Sequence, residues 1–114
     1  MTNYIVYQIA ITDAEADLIN SGTKLEKYET KLDIMMPGHQ DHAKLAKTAM
    51  LNGYFTKCGY IHDAKDLDDA FMIGQTDGFS RISPWACSVS TGDLIVDTTD
   101  DTIYVVKSWG FEAL

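Results

Sequence analysis

Ser88-Val-Ser-Thr-Gly-Asp-Leu-Ile-Val-Asp97, then Thr98-Thr-Asp-Asp-Thr102, then Ile103-Tyr-Val-Val-Lys-Ser-Trp-Gly-Phe111, is the stretch on which the reading of this chain turns. Two β-rich runs, residues 94–96 and 103–106, flank a short polar corner, which is the pattern of a β-hairpin. Gly92 and Asp93 launch the first strand, because glycine reaches φ > 0 without penalty and aspartate bonds back onto nearby amides. The hydroxyls of Ser88 and Ser90 are expected to bond the backbone around that turn. The end of the chain is therefore sheet, and what precedes it has to pair with that sheet or cover it.

Residues 3–11 are rich in β-branched and aromatic types on both faces, as in a central strand. Thr12 and Glu15 form the Thr-x-x-Glu capping box, so a helix starts at Asp13 and runs to Asn20, where Ser21-Gly22 stops it. Residues 24–29 read as a helix giving way to a strand over 31–36, since the residue before Pro37 is biased to extended geometry. After the turn at Pro37-Gly38, residues 40–52 repeat Ala43, Ala46, Ala49 and Met50 at helical spacing, and Gly53 ends that helix. Residues 54–62 return to strand composition with Gly59 in mid-run, which signals a bulge or a close backbone approach. Asp63 or Asp66 caps a helix over 67–73, and residues 74–84 form a long loop that Phe79 and Trp85 pin to the core. The sum is one α+β domain over residues 1–114, a mostly antiparallel sheet with about three helices packed on one side.

The chain has 114 residues, 46% hydrophobic and 23% charged, which is the ordinary globular range and enough for a single core. Its net charge of −8 repels phosphate backbones, and no basic cluster offsets it, so direct nucleic-acid binding is disfavoured. The acidity serves solubility, with a decoy that mimics DNA as the sharper alternative. Cys58 and Cys87 suit a reducing cytosol, and the start of the chain has neither a basic n-region nor a long apolar run. A cytoplasmic protein with no membrane association is expected.

The order Ser88, Ser90, Gly92, Asp93, Leu94, Ile95, then Tyr104-Val105, then Gly110-Phe111 and Leu114, resembles the ending of small phage, plasmid and mobile-element proteins described as YodL-like. Residues 66–71, Asp-Leu-Asp-Asp-Ala-Phe, resemble the helix that often precedes that ending. The similarity covers roughly the last 50 residues, and Thr91 and the long corner at 98–102 depart from the pattern. It implies an accessory protein of a mobile genome without implying a mechanism.

Chemistry-bearing residues are sparse. His39, His42, Cys58 and His62 offer nitrogen and sulfur donors, but Cys58 and His62 would stand about 13 Å apart on a regular strand, so surface histidines and a packed thiol account for them better than zinc. No nucleophile elbow accompanies Ser80, Ser88, Ser90 or the His62-Asp63 pair, and no cofactor is expected. Asp97, Asp100 and Asp101 lack the glycine and distal glutamate of a calcium loop and read as a solvated turn. The candidate contact residues are Trp109, Phe111, Tyr104 and Trp85, since aromatic side chains dominate binding hot spots, together with Asp93 of the Gly92-Asp93 turn. A terminal strand also leaves a sheet edge free to pair with a partner. The resulting expectation is a non-catalytic module that binds a host or self-encoded protein, with homodimerisation through that edge as the simplest form. An acidic DNA-mimic inhibitor and a small metal- or cysteine-dependent enzyme are the alternatives.

Overall fold

Tyr4, Val6 and Gln8 alternate with Ile5 and Tyr7 along β1 (Thr2–Gln8), so this strand has an apolar residue to offer on either face. It pairs antiparallel with β2 (Thr56–Ala64) on one side and with β4 (Leu94–Asp97) on the other, which makes it the central strand expected. The computed structural model describes residues 1–36 and 41–114. Beyond β2 lies β3 (Ser80–Arg81), and beyond β4 lie β5 (Ile103–Val106) and β6 (Phe111–Ala113). Among the described residues the sheet is six-stranded in the order β3-β2-β1-β4-β5-β6, with every pairing antiparallel.

The local signals in the sequence act as the physics requires. Thr12 Oγ1 accepts from the Glu15 amide at 3.2 Å while Glu15 Oε1 accepts from the Thr12 amide at 3.0 Å, and α1 (Asp13–Asn20) begins there. The hydrogen bond donated by the Thr12 amide, with help from Lys27, holds the Glu15 carboxyl below its usual value. Asp66 accepts from the Asp69 amide at 2.9 Å and caps α4 (Leu67–Ile73). Gly59 sits where a Cβ would come within 2.5 Å of the Phe79 ring and of the Ser80 carbonyl, and the β1–β2 register slips beside it.

Three expectations need correction. The strand over 31–36 is absent, because α2 (Glu26–Met35) continues through it. Pro37 constrains only its predecessor: Met36 is extended (φ −65°, ψ 131°), and the helix before it is free to bury Ile34. The loop over 74–84 contributes β3, which runs along β2 opposite Gly59 and Tyr60, and its anchor is the buried Phe79 while Trp85 remains 39% exposed. The hairpin gains a third strand, β6, after a turn in which the Lys107 amide donates to Gly110 O at 2.9 Å.

The α+β class and the antiparallel sheet stand, with four helices among the described residues where about three were expected. They divide between the faces. Tyr4, Val6, Ile61, Ile95 and Val106 pack under α4 through Leu67, Ala70 and Phe71. Leu94 and Val105, on the opposite face by strand alternation, pack against Ala43 and Ala46 of α3 (His42–Leu51), which in turn rests on α2. The start of the expected helix over 40–52 lies outside the described residues. Among them, no helix is long and apolar enough to cross a membrane.

Gly92 carries the contact between α2 and the hairpin. Its φ is +93°, and a Cβ there would stand 2.8 Å from Ile34 Cγ2. Gly22 has nearly the same φ, +94°, with open space around it. Gly92→Ala is therefore expected to cost about 2–4 kcal/mol, from backbone strain plus overpacking. Gly22→Ala should cost only about 1 kcal/mol. Urea denaturation of the two variants measures the difference directly.

Candidate functional site

The start of β4 is held by a buried polar junction. Gln8, at the end of β1, donates from Nε2 to Asp93 Oδ2 at 2.9 Å and to Cys87 O at 2.8 Å, and its Oε1 accepts from the Cys87 amide at 3.0 Å. Asp93 Oδ2 also accepts from the Ser90 amide at 2.9 Å. The side chain of Gln8 thus completes a backbone-like pairing with Cys87, where the chain itself forms no strand. The expectation for the serines is corrected in kind, since the Ser90 amide donates to the aspartate side chain. Burial pushes the Asp93 carboxyl up to about 7, against the opposing pull of the Ser90 amide, Gln8 and Lys31.

From this junction the hairpin runs out to the candidate contact residues. Gly92 N donates to Val106 O at 2.8 Å and Val106 N donates to Asp93 O at 2.9 Å, so β5 is tied to the same turn. Tyr104 and Val106 face α4, and Phe111, paired with Val106 across the β5–β6 ladder, stacks edge-to-face on Phe71 with ring centroids 6.4 Å apart. Trp109 sits at the tip of the β5–β6 turn and is 92% exposed. A hollow of about 150 Å³ beside it is lined by Phe71, Val106, Phe111, Lys107 and Asp68. Lys107 and Glu112 pair across the ribbon at 3.1 Å, a part-exposed bridge of small worth.

The structure brings Tyr104, Phe111 and Trp109 together on one ribbon and leaves the other two candidates elsewhere. Trp85 follows β3, at the far edge of the sheet from β6. Asp93 is buried beneath the hairpin and serves as a scaffold rather than as a contact surface. The sequence reading missed Gln8, although a lone glutamine inside an apolar strand is the signal that could have found it.

The donor set considered for zinc does not assemble among the described residues. His39 lies outside them, His42 is buried on the first turn of α3, Cys58 is buried on β2, and His62 is exposed and stacked on Tyr60 with ring centroids 6.2 Å apart. Among the described residues no three His, Cys, Asp or Glu side chains are placed to hold a metal ion. Burial raises the Cys58 thiol, which works against its use as a nucleophile. The corner carboxylates bond their own backbone: Asp97 accepts from the Thr99 amide at 2.8 Å and Asp100 from the Thr102 amide at 3.0 Å. Compared with protein-family models, curated proteins and solved structures, the chain matches none of them.

Asp93 sets a pH dependence whose sign follows from its buried, neutral form. A carboxyl raised from 3.8 to about 7 on folding adds stability that is fully present below its unfolded value and is lost as pH rises through about 7. Each tenfold change in proton affinity is worth about 1.4 kcal/mol, so the loss reaches about 4 kcal/mol. Asp93→Asn keeps an oxygen for Gln8 and Ser90 and cannot ionise. It is expected to remove this slope and to be more stable than the parent at pH 8, as read by denaturant midpoints from pH 4 to 9.

Proposed function

We propose that the chain is a non-catalytic protein-binding module, an accessory protein of a phage or mobile element, whose contact surface is the β5–β6 ribbon. The observation that carries this reading is Trp109, 92% exposed at a tight turn beside the last strand of the sheet. A fully exposed tryptophan costs solubility and gives the fold nothing, whereas at an interface it supplies a large rigid contact. The strand behind it offers the second element of recognition. The Lys107 to Gly110 and Leu114 to Ile103 bonds turn residues 110 and 114 toward β5, so the amides of Phe111 and Ala113 point outward by strand alternation. An extended segment of another protein, or β6 of a second copy, can add there.

A second reading is favoured by the way the fold gathers its acids. Asp63 N donates to Asn3 Oδ1 and Thr98 donates to Asn3 O, so the end of β2 and the corner after β4 meet at the start of β1. Asp63, Asp66, Asp97, Asp100 and Asp101 are thereby collected at one end of the sheet. This is the arrangement an acidic inhibitor of a DNA-binding groove would use.

One pull-down from bacterial lysate separates the two. For the protein-binding module, a partner is expected that survives moderate salt, weakens about 30-fold with Trp109→Ala, and is lost with Ala113→Pro, which removes an outward amide without breaking the ladder. Trp109→Ala should leave stability within about 0.5 kcal/mol of the parent. Partners that are many, basic and lost with salt would support the inhibitor instead, and no partner at all would sink both.

A further inference from the structure

Among the described residues, the face of the sheet that carries α3 is not covered to its end. Between the last turn of α3 and the β4–β5 hairpin lies a cleft of about 370 Å³, walled by Tyr7, Phe55, Val96, Ile103 and Met50, with Asp101 at its mouth. Tyr7, Phe55, Val96 and Ile103 are only half-buried, so the apolar surface is open to an incoming side chain. Met50 also lines a neighbouring hollow of about 380 Å³, together with Lys47 and Leu51. Leu51 is 89% exposed although it follows a turn of helix that buries Ala46 and Ala49. The two hollows adjoin through one methionine, a flexible side chain that repacks around different occupants.

We infer that this double hollow is a docking groove for an amphipathic helical segment of a partner protein that carries two large apolar side chains one turn apart and a lysine or arginine beside them. Two adjoining hollows match side chains at i and i+4 on one helix face better than they match one compact small molecule. The charge at the open end selects the flank. Asp101 borders the cleft, Asp100 follows on the same corner, and the bond from the Thr102 amide holds the Asp100 carboxyl below its usual value, so the mouth is negative at neutral pH. A basic residue at the Asp101 end of the segment meets complementary charge and an acidic one is repelled, while Lys47 at the other hollow carries the opposite sign. The groove is separate from the Trp109 ribbon, because its lining residues lie on the opposite face of the sheet from Val106 and Phe111.

The test uses two synthetic helical peptides with the same leucine pair, one flanked by lysines and the other by glutamates, titrated by fluorescence anisotropy against the intact protein. The lysine peptide should bind at least about tenfold more tightly than its glutamate twin. Leu51→Glu, an exposed change that leaves folding intact, should weaken the lysine peptide by about tenfold or more, and Asp101→Lys should reverse the preference between the twins. Leu51→Glu makes the protein more acidic, so tighter binding of the lysine peptide to this variant would show plain charge attraction and overturn the groove. Equal affinity for the twins, no binding of either, or a dimer of the parent protein that Leu51→Glu dissociates would overturn it too, the last assigning the surface to a second copy. Trp109→Ala should bind the lysine peptide unchanged, so the groove and the ribbon succeed or fail separately.

Discussion

The pairing of Gln8 with Asp93 and Cys87 is the constraint on which the rest of the structure depends. Between β3 and β4 the chain crosses from one side of β1 to the other with no strand over residues 82–93, and its polar groups need other partners where it passes the core at Val89, Gly92 and Asp93. Gln8 supplies them from the end of the central strand, using its carbonyl and both its amide hydrogens at distances from 2.8 to 3.0 Å. Asp93 also accepts from the Ser90 amide, and Gly92 beside it admits Ile34 of α2. One glutamine therefore couples the sheet, the hairpin turn and a helix. Losing one partner would strand the others away from water, a cost larger than the bond itself.

Much of the fold was legible because its signals are local. The capping box at Thr12, the cap at Asp66, the close approach at Gly59 and the hairpin over 94–106 each follow from a few neighbouring residues, and each is present. What was misread depends on distant partners. Residues 31–36 have a strand-like run of Leu32, Ile34, Met35 and Met36, and only the packing of Ile34 beneath Gly92 and against α3 decides for helix. β3 and β6 are too short to announce themselves, and exist because β2 and β5 offer them an edge. Gln8 and Asp93 lie 85 positions apart, a separation that no spacing rule reaches.

The candidate site was legible in part for the same reason. Composition picked out the aromatic residues, and alternation placed Tyr104 with Val106, but burial sorts them: Phe111 is engaged with Phe71, Trp85 belongs to the other edge, and Trp109 alone of the four is presented whole to solvent. The ribbon that presents it is short, and its position is fixed at one end by α4 and at the other by the Gly92 turn. A recognition surface on such a ribbon is pre-ordered, so little conformational entropy is lost when it binds. The face beyond α3, which the described residues leave open, shares this scaffold through Leu94 and Val105, which places two unlike surfaces, one aromatic and one apolar with an acidic mouth, on a single small sheet.

The measurement that tests the account most directly is native-state hydrogen exchange of the Cys87 and Ser90 amides, followed by NMR beside the amides of β1. If the Gln8 and Asp93 junction holds the hairpin to the sheet, both amides should be protected nearly as well as the central strand, although they lie in a segment without regular structure. Their protection should fall together as the pH is raised through about 7, where Asp93 ionises. Exchange of Cys87 and Ser90 at the rate of an open loop, with β1 still protected, would contradict the central place given to this junction.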